Sequence, residues 1–149
     1  MRIKIPYQNI GHTIEMLQKQ IESSLDFAHE FAPGEHDPKH LFHLLKNNTT
    51  YRNDPPGVEL LQSFPSLIND NYWGVPGAGD CDCFTIAAVA CCVENDIPVR
   101  IVIVGNSSIA PSHIYCEVIY KGKWTAFDLV NNYFGETKKY KYEKIINVY

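Results

Sequence analysis

Gly74-Val75-Pro76-Gly77-Ala78-Gly79-Asp80-Cys81-Asp82-Cys83 runs without a break into Phe84-Thr85-Ile86-Ala87-Ala88-Val89-Ala90-Cys91-Cys92-Val93-Glu94. Glycine and proline make the first part irregular. The second is apolar at nearly every position, the pattern of a helix buried on most sides. The joint falls at Cys81. A thiol attacks only as thiolate, and a helix N-terminus with an imidazole beside it favours that form. A cysteine that opens a buried helix after a glycine-rich turn meets the first condition. Its sulfur is offered to substrate while neighbouring N–H groups point at a developing oxyanion. Asp80 and Asp82 cap the helix and favour its dipole, and they raise the thiol pKa somewhat.

Downstream, Val99-Arg100-Ile101-Val102-Ile103-Val104-Gly105 is a β-branched run of strand length, and a loop is expected from Asn106 to Pro111. Ser112 to Tyr120 and Lys123 to Leu129 read as two strands around Lys121-Gly122, a two-residue turn with glycine where a positive φ is wanted. That turn fixes a register. If Tyr120 pairs with Lys123, Tyr115 faces Asp128, and His113 becomes a diagonal neighbour of Asp128 on the same face. A base and the carboxylate that orients it need this arrangement, and a slip of one residue would put them on opposite faces.

Upstream, Ile10, Ile14, Leu17, Ile21, Leu25 and Ala28 recur at three- and four-residue steps, which predicts one long amphipathic helix from Ile10 to about Phe31. Pro33-Gly34 stops it, and Asp37-Pro38 supplies an N-cap and a first-turn proline for a second helix to about Lys46. Asn53-Asp54-Pro55-Pro56-Gly57 reads as a loop before a short helical stretch near Val58 to Phe64. The tail from Lys138 to Tyr149 is expected to add a last strand. Helices first and antiparallel strands later give α+β. The expectation is a single domain over 1–149, with a helical layer over 1–50, the core over 52–130 and a C-terminal strand or tail over 131–149.

With 45% hydrophobic and 20% charged residues, the composition is that of a globular chain. A net charge of -4 and no long basic run argue against nucleic acid as a partner. No apolar stretch is long enough for a signal peptide or a bilayer span, so neither secretion by a signal nor membrane association is expected. Five cysteines, two of them adjacent, argue against a disulfide framework and for reduced thiols in a cytoplasmic compartment.

Four blocks carry a resemblance. Asp54-Pro55-Pro56-Gly57-Val58-Glu59-Leu60-Leu61-Gln62-Ser63 and Gly79-Asp80-Cys81-Asp82-Cys83-Phe84 come first. Asp96-Ile97-Pro98-Val99-Arg100 and the hairpin from Ser112 to Asp128 follow. Together, over roughly 52–130, they resemble the transglutaminase-like superfamily of papain-fold cysteine enzymes, in particular small members encoded by bacteriophages and prophages. The resemblance implies a papain-like α+β domain with a central helix opened by the cysteine and an antiparallel sheet bearing histidine and aspartate. It also implies a triad of Cys81, His113 and Asp128 for acyl transfer on peptide or amide substrates. Two positions depart from it: Cys83 stands where many phage-type members have a second acidic residue, and Thr85 where alanine is frequent.

Rival readings exist for most of these residues. Cys83 competes with Cys81 as nucleophile and is read as a packing or accessory residue, while Cys91, Cys92 and Cys116 read as small core hydrophobes. His36, His40 and His43 share a helix face, but no second ligand pair accompanies them or Cys81-x-Cys83, so neither metal nor cofactor is expected. Gln62, Tyr72 and Trp73 are candidates for an extra oxyanion donor. The expected partner is a protein or peptide substrate, with phage structural proteins a further possibility, in a bacterial host cytoplasm or a virion. Two alternatives of a different kind are a virion or morphogenesis protein that uses the fold as a binding scaffold and a zinc-binding module.

Overall fold

The computed structural model describes residues 2–6, 10–107 and 110–148. Two elements deliver the site. Helix α5 (Cys81–Glu94) is the centre of the molecule, with every residue from Asp82 to Cys92 buried, as its unbroken apolar run requires. Against it lies an antiparallel sheet of β5 (Val99–Ser107), β6 (Ala110–Tyr120), β7 (Lys123–Phe127) and β8 (Tyr142–Asn147), in the order β7-β6-β5-β8. Alternation along the strands splits the sheet into two faces. Ile101, Ile103, Ile114, Cys116, Val118 and Phe127 join the main core with α5. Val102, Val104, Tyr115 and Ala126 form a smaller cluster on the other face, with Tyr140 and Ile145 laid over it.

The hairpin has the expected register, with Tyr120 opposite Lys123 and Cys116 opposite Phe127. Lys121 and Gly122 both take positive φ, 50° and 83°, as a tight turn matched to the right-handed strand twist requires. The tail contributes β8, paired with β5. Strand β5 runs further than expected, to Ser107, and β6 starts at Ala110. The expected loop from Asn106 to Pro111 therefore shrinks to a short connection whose middle, 108–109, lies outside the described residues. A register shift next to Gly105 leaves Ser112 without a partner on β5, just before His113.

The N-terminal half differs from the sequence reading in two places. The long first helix is two: α1 (Ile10–Glu22) and α2 (Leu25–Phe31). Between them the Ser24 hydroxyl donates to Gln20 O at 2.6 Å and accepts from Phe64 N–H at 2.9 Å, tying the break to a distant segment. The stretch at 58–62 is a strand and not a helix. β3 (Val58–Gln62) pairs antiparallel with β1 (Arg2–Pro6), and a helix begins only with α4 (Phe64–Asn69). Helix α3 (Pro38–Lys46) starts as read, with the Asp37 carboxylate accepting from Lys39 N–H. A two-residue parallel pairing of β2 (Thr50–Tyr51) with β4 (Ala78–Gly79) brings the glycine-rich approach alongside.

Candidate active site

On the hairpin, β6 aims His113 away from the main core, and Asp128 follows directly after β7 on the same face. The predicted diagonal is present: His113 Nε2 lies 2.6 Å from Asp128 Oδ2. The carboxylate is itself fixed, Oδ1 accepting from Val130 N–H at 3.1 Å and Oδ2 from the Asn131 amide at 3.4 Å. Its side chain is 6% exposed and that of His113 is 16% exposed, so water competes little for the bond. An acceptor carboxylate at Nε2 selects the tautomer with its proton there and leaves Nδ1 as the basic nitrogen.

Cys81 opens α5 as the sequence indicates. Asp80 is the N-cap, accepting from Asp82 N–H at 3.2 Å and also from the Cys83 N–H. Two of the N–H groups expected to face an oxyanion are therefore taken by Asp80, which is a correction to the sequence reading. The approach to the cysteine is held by close backbone contact. Gly77 has φ +83° and donates to Leu67 O, and a Cβ there would fall 1.9 Å from Asn48 O. Gln62 is buried and spent on structure, its amide donating to Ala78 O at 3.0 Å and its carbonyl accepting from Tyr72 N–H at 2.9 Å. Trp73 lies under the Arg52 guanidinium. Gln62, Tyr72 and Trp73 thus brace the loop before Cys81, and none of them lines the cleft.

Cys81 and His113 line one open cleft of about 300 Å³, together with Thr13, Tyr51, Asp54, Glu59, Asp80 and Asp82. The imidazole's bonded partner is Asp128, and the thiol's is the backbone N–H of Ile114, the residue after His113. One wall is acidic. Burial, then the charge of Asp54, pushes the Asp80 carboxyl up to about 8. Burial, Asp80 and a hydrogen bond with Glu59 push Asp82 well above the carboxylate range. Asp54 is also raised by burial. The Cys81 thiol is pushed well above its ordinary value by burial first, then by the charges of Asp82 and Asp80, against the pull of the Ile114 N–H. The surroundings therefore push the thiol upward, where the helix terminus and imidazole alone suggest a lowered pKa. Oxygens of Asp54, Asp80 and Asp82 lie within 4.8 Å of one another, close enough to share protons or a hard cation.

The other sequence candidates separate. Cys83 is fully buried, packed on Gly79 and facing Leu60 O at 3.4 Å. Cys91, Cys92 and Cys116 are buried core, as read. The three histidines of α3 and its approach take different partners: His36 meets Asn95 O, His40 lies near Asp37, and His43 packs on Phe42. What the sequence reading missed is the cleft wall of Thr13, Tyr51, Asp54 and Glu59. The signal for Asp54 and Glu59 was present, since both fall in the block from Asp54 to Ser63 that carries part of the resemblance.

No family profile and no curated protein matches the chain by sequence. Solved structures do match by shape. A Parabacteroides distasonis protein described as a "putative protease" superposes with a TM-score of 0.57 over 91% of the chain, at 10% identity. A Cytophaga hutchinsonii protein described as a "putative cysteine protease" superposes with a TM-score of 0.50 over 86% of it, at 18% identity. The chain spans only 29% of the first protein and 48% of the second. At such identities the likeness concerns the path of the backbone. That path, a buried helix against an antiparallel sheet in one mixed α+β domain, is the fold the chain shares with these two proteins.

Proposed function

We propose that this chain performs cysteine-dependent acyl transfer on peptide or amide substrates, with Cys81 as nucleophile, His113 as its base and Asp128 as the group that orients His113. The observation that carries the reading is the 2.6 Å bond between His113 Nε2 and Asp128 Oδ2 in a cleft that Cys81 also lines. With its surroundings raising the thiol, His113 acts as a general base. Nδ1 takes the thiol proton as the sulfur–carbon bond forms, and the carbonyl electrons move onto oxygen. With Asp82 and Cys83 N–H bound to Asp80, the Cys81 N–H is the first-turn donor left for that oxyanion. Collapse breaks the carbon–nitrogen bond, and the imidazolium gives its proton to the leaving amine. Water or an acceptor amine then releases the thioester, the first outcome making the protein a peptidase or amidase and the second a transglutaminase.

A second reading rests on the burial and acidic surroundings that raise the Cys81 thiol: a bacteriophage virion or morphogenesis protein that uses the cleft for binding only. Limiting iodoacetamide at neutral pH separates the two, with the labelled cysteine identified by peptide mass. The enzyme reading expects Cys81 to label well ahead of the four buried thiols. It also expects His113→Ala to slow the labelling, and Cys81→Ala to abolish hydrolysis or amine incorporation on a casein substrate. Labelling of Cys81 no faster than that of a free cysteine, with casein processing indifferent to Cys81→Ala, leaves the binding reading standing.

A further inference from the structure

We propose that Tyr115 is a positioning residue for His113: its ring is the wall that holds the imidazole toward Asp128 and keeps water from their bond. The inference rests on the proposed role of His113 for its catalytic meaning, but its physical content concerns the imidazole alone. The two rings stack with centroids 5.6 Å apart and planes 24° from parallel. This follows from the strand, since residues two apart on β6 share a face, and from the hairpin register, whose last pair, Cys116 opposite Phe127, leaves Tyr115 and Asp128 as the next residues on the two arms. Tyr115 therefore stacks on one member of the pair and stands one step beyond the paired register that leads to the other.

What holds Tyr115 is packing. It is 5% exposed in a cluster with Val102, Val104 and Ala126, with Tyr140 and Ile145 packed against it. Among the described residues its hydroxyl meets Thr137 Oγ1 at 3.5 Å, which is too long to fix the ring. The Asp128 carboxylate is already immobilised by Val130 N–H. The remaining freedom in the pair is rotation of the imidazole about χ2, a broad torsion for histidine. A flat, buried ring stacked against it removes that freedom, and an aromatic face also tolerates the imidazolium that forms in the reaction. Ring shape is then the requirement and the hydroxyl is dispensable.

The test compares Tyr115→Phe, Tyr115→Leu and Tyr115→Met by NMR of the His113 side chain and by Cys81 alkylation. Wild type and Tyr115→Phe are expected to show a slowly exchanging downfield Nε2–H proton and nitrogen shifts of a single tautomer. In Tyr115→Leu, folded by circular dichroism, the proton exchanges with water, the tautomers mix, and alkylation at neutral pH falls about tenfold or more. Tyr115→Met, longer and more adaptable, supplies the same comparison should the leucine variant not fold. An unchanged Nε2–H proton in a folded leucine or methionine variant overturns the proposal and reduces Tyr115 to core. Loss of the proton with alkylation unchanged from wild type upholds the positioning and instead removes His113 as the base of Cys81.

Discussion

Asp80 serves two ends that oppose each other. As N-cap it satisfies the first turn of α5, yet it does so buried beside Asp54 and Asp82, so its carboxyl is pushed up to about 8. The folded protein then holds a proton that the unfolded chain releases near an ordinary carboxylate value of about 4. Stability is greatest at the acid end of that window, falls as pH rises between the two values, and levels off above the higher one. The slope is on the order of a few kcal/mol across the window, shared among the neighbouring carboxyls. Asp80→Asn keeps an oxygen for the Asp82 N–H and removes the titration. Urea denaturation at pH 5 and pH 8 is expected to show a smaller loss in the variant than in wild type. At this scale the sequence was half legible. A two-residue turn placed His113 against Asp128 by counting alone, whereas the upward shift at Cys81 comes first from burial in the finished fold, and Glu59 of the cleft wall falls in a segment read as helix.

Among the elements, β3 explains that misreading. Leu60 and Leu61 are adjacent and both buried, 1% and 0% exposed, because main-chain pairing with β1 and packing on both sides enclose the strand. A strand covered on both faces loses the alternation that would betray it, and its partner lies far away in sequence. The break between α1 and α2 was hidden for a related reason. The apolar spacing continues across Ser23-Ser24, and only the bond from Phe64 N–H to the Ser24 hydroxyl shows why the chain turns there. Ser24→Ala would remove that acceptor and leave a buried N–H unpaired, at a cost of about 1–3 kcal/mol. A lower thermal midpoint with an unchanged circular dichroism spectrum is the expected result. Gly77 belongs here too: its positive φ and contact with Asn48 let β4 reach β2, so the loop that delivers Cys81 is built from main chain.

Over the whole molecule, α5 acts as the axis, with the sheet on one side and the other helices around it, as its apolar run implies. The sheet order was less legible, because β8 returns from the tail to pair with β5 and not with its neighbour in sequence, β7. Phe42 ties α3 to the β7 edge of that sheet. Fully buried, it meets Phe127 of β7 at 5.3 Å and Phe134 of the following segment at 5.8 Å, each edge to face. Phe42→Ala is expected to cost about 3–5 kcal/mol. Guanidinium denaturation followed by tryptophan fluorescence would show it as a lower midpoint, since Trp124 sits on β7.

The turn at Lys121-Gly122 also bears on the order in which the protein assembles. His113 and Asp128 lie on the two arms of one hairpin, a unit that closes in roughly 1–10 μs when it forms unaided. Cys81 comes to line the same cleft only when α5 docks on the sheet, where it packs on β6 as well as on the adjoining β5. The imidazole and its carboxylate thus come together early and locally, while the thiol reaches their cleft only in the finished fold, so a nascent or unfolded chain would hold the pair without the thiol.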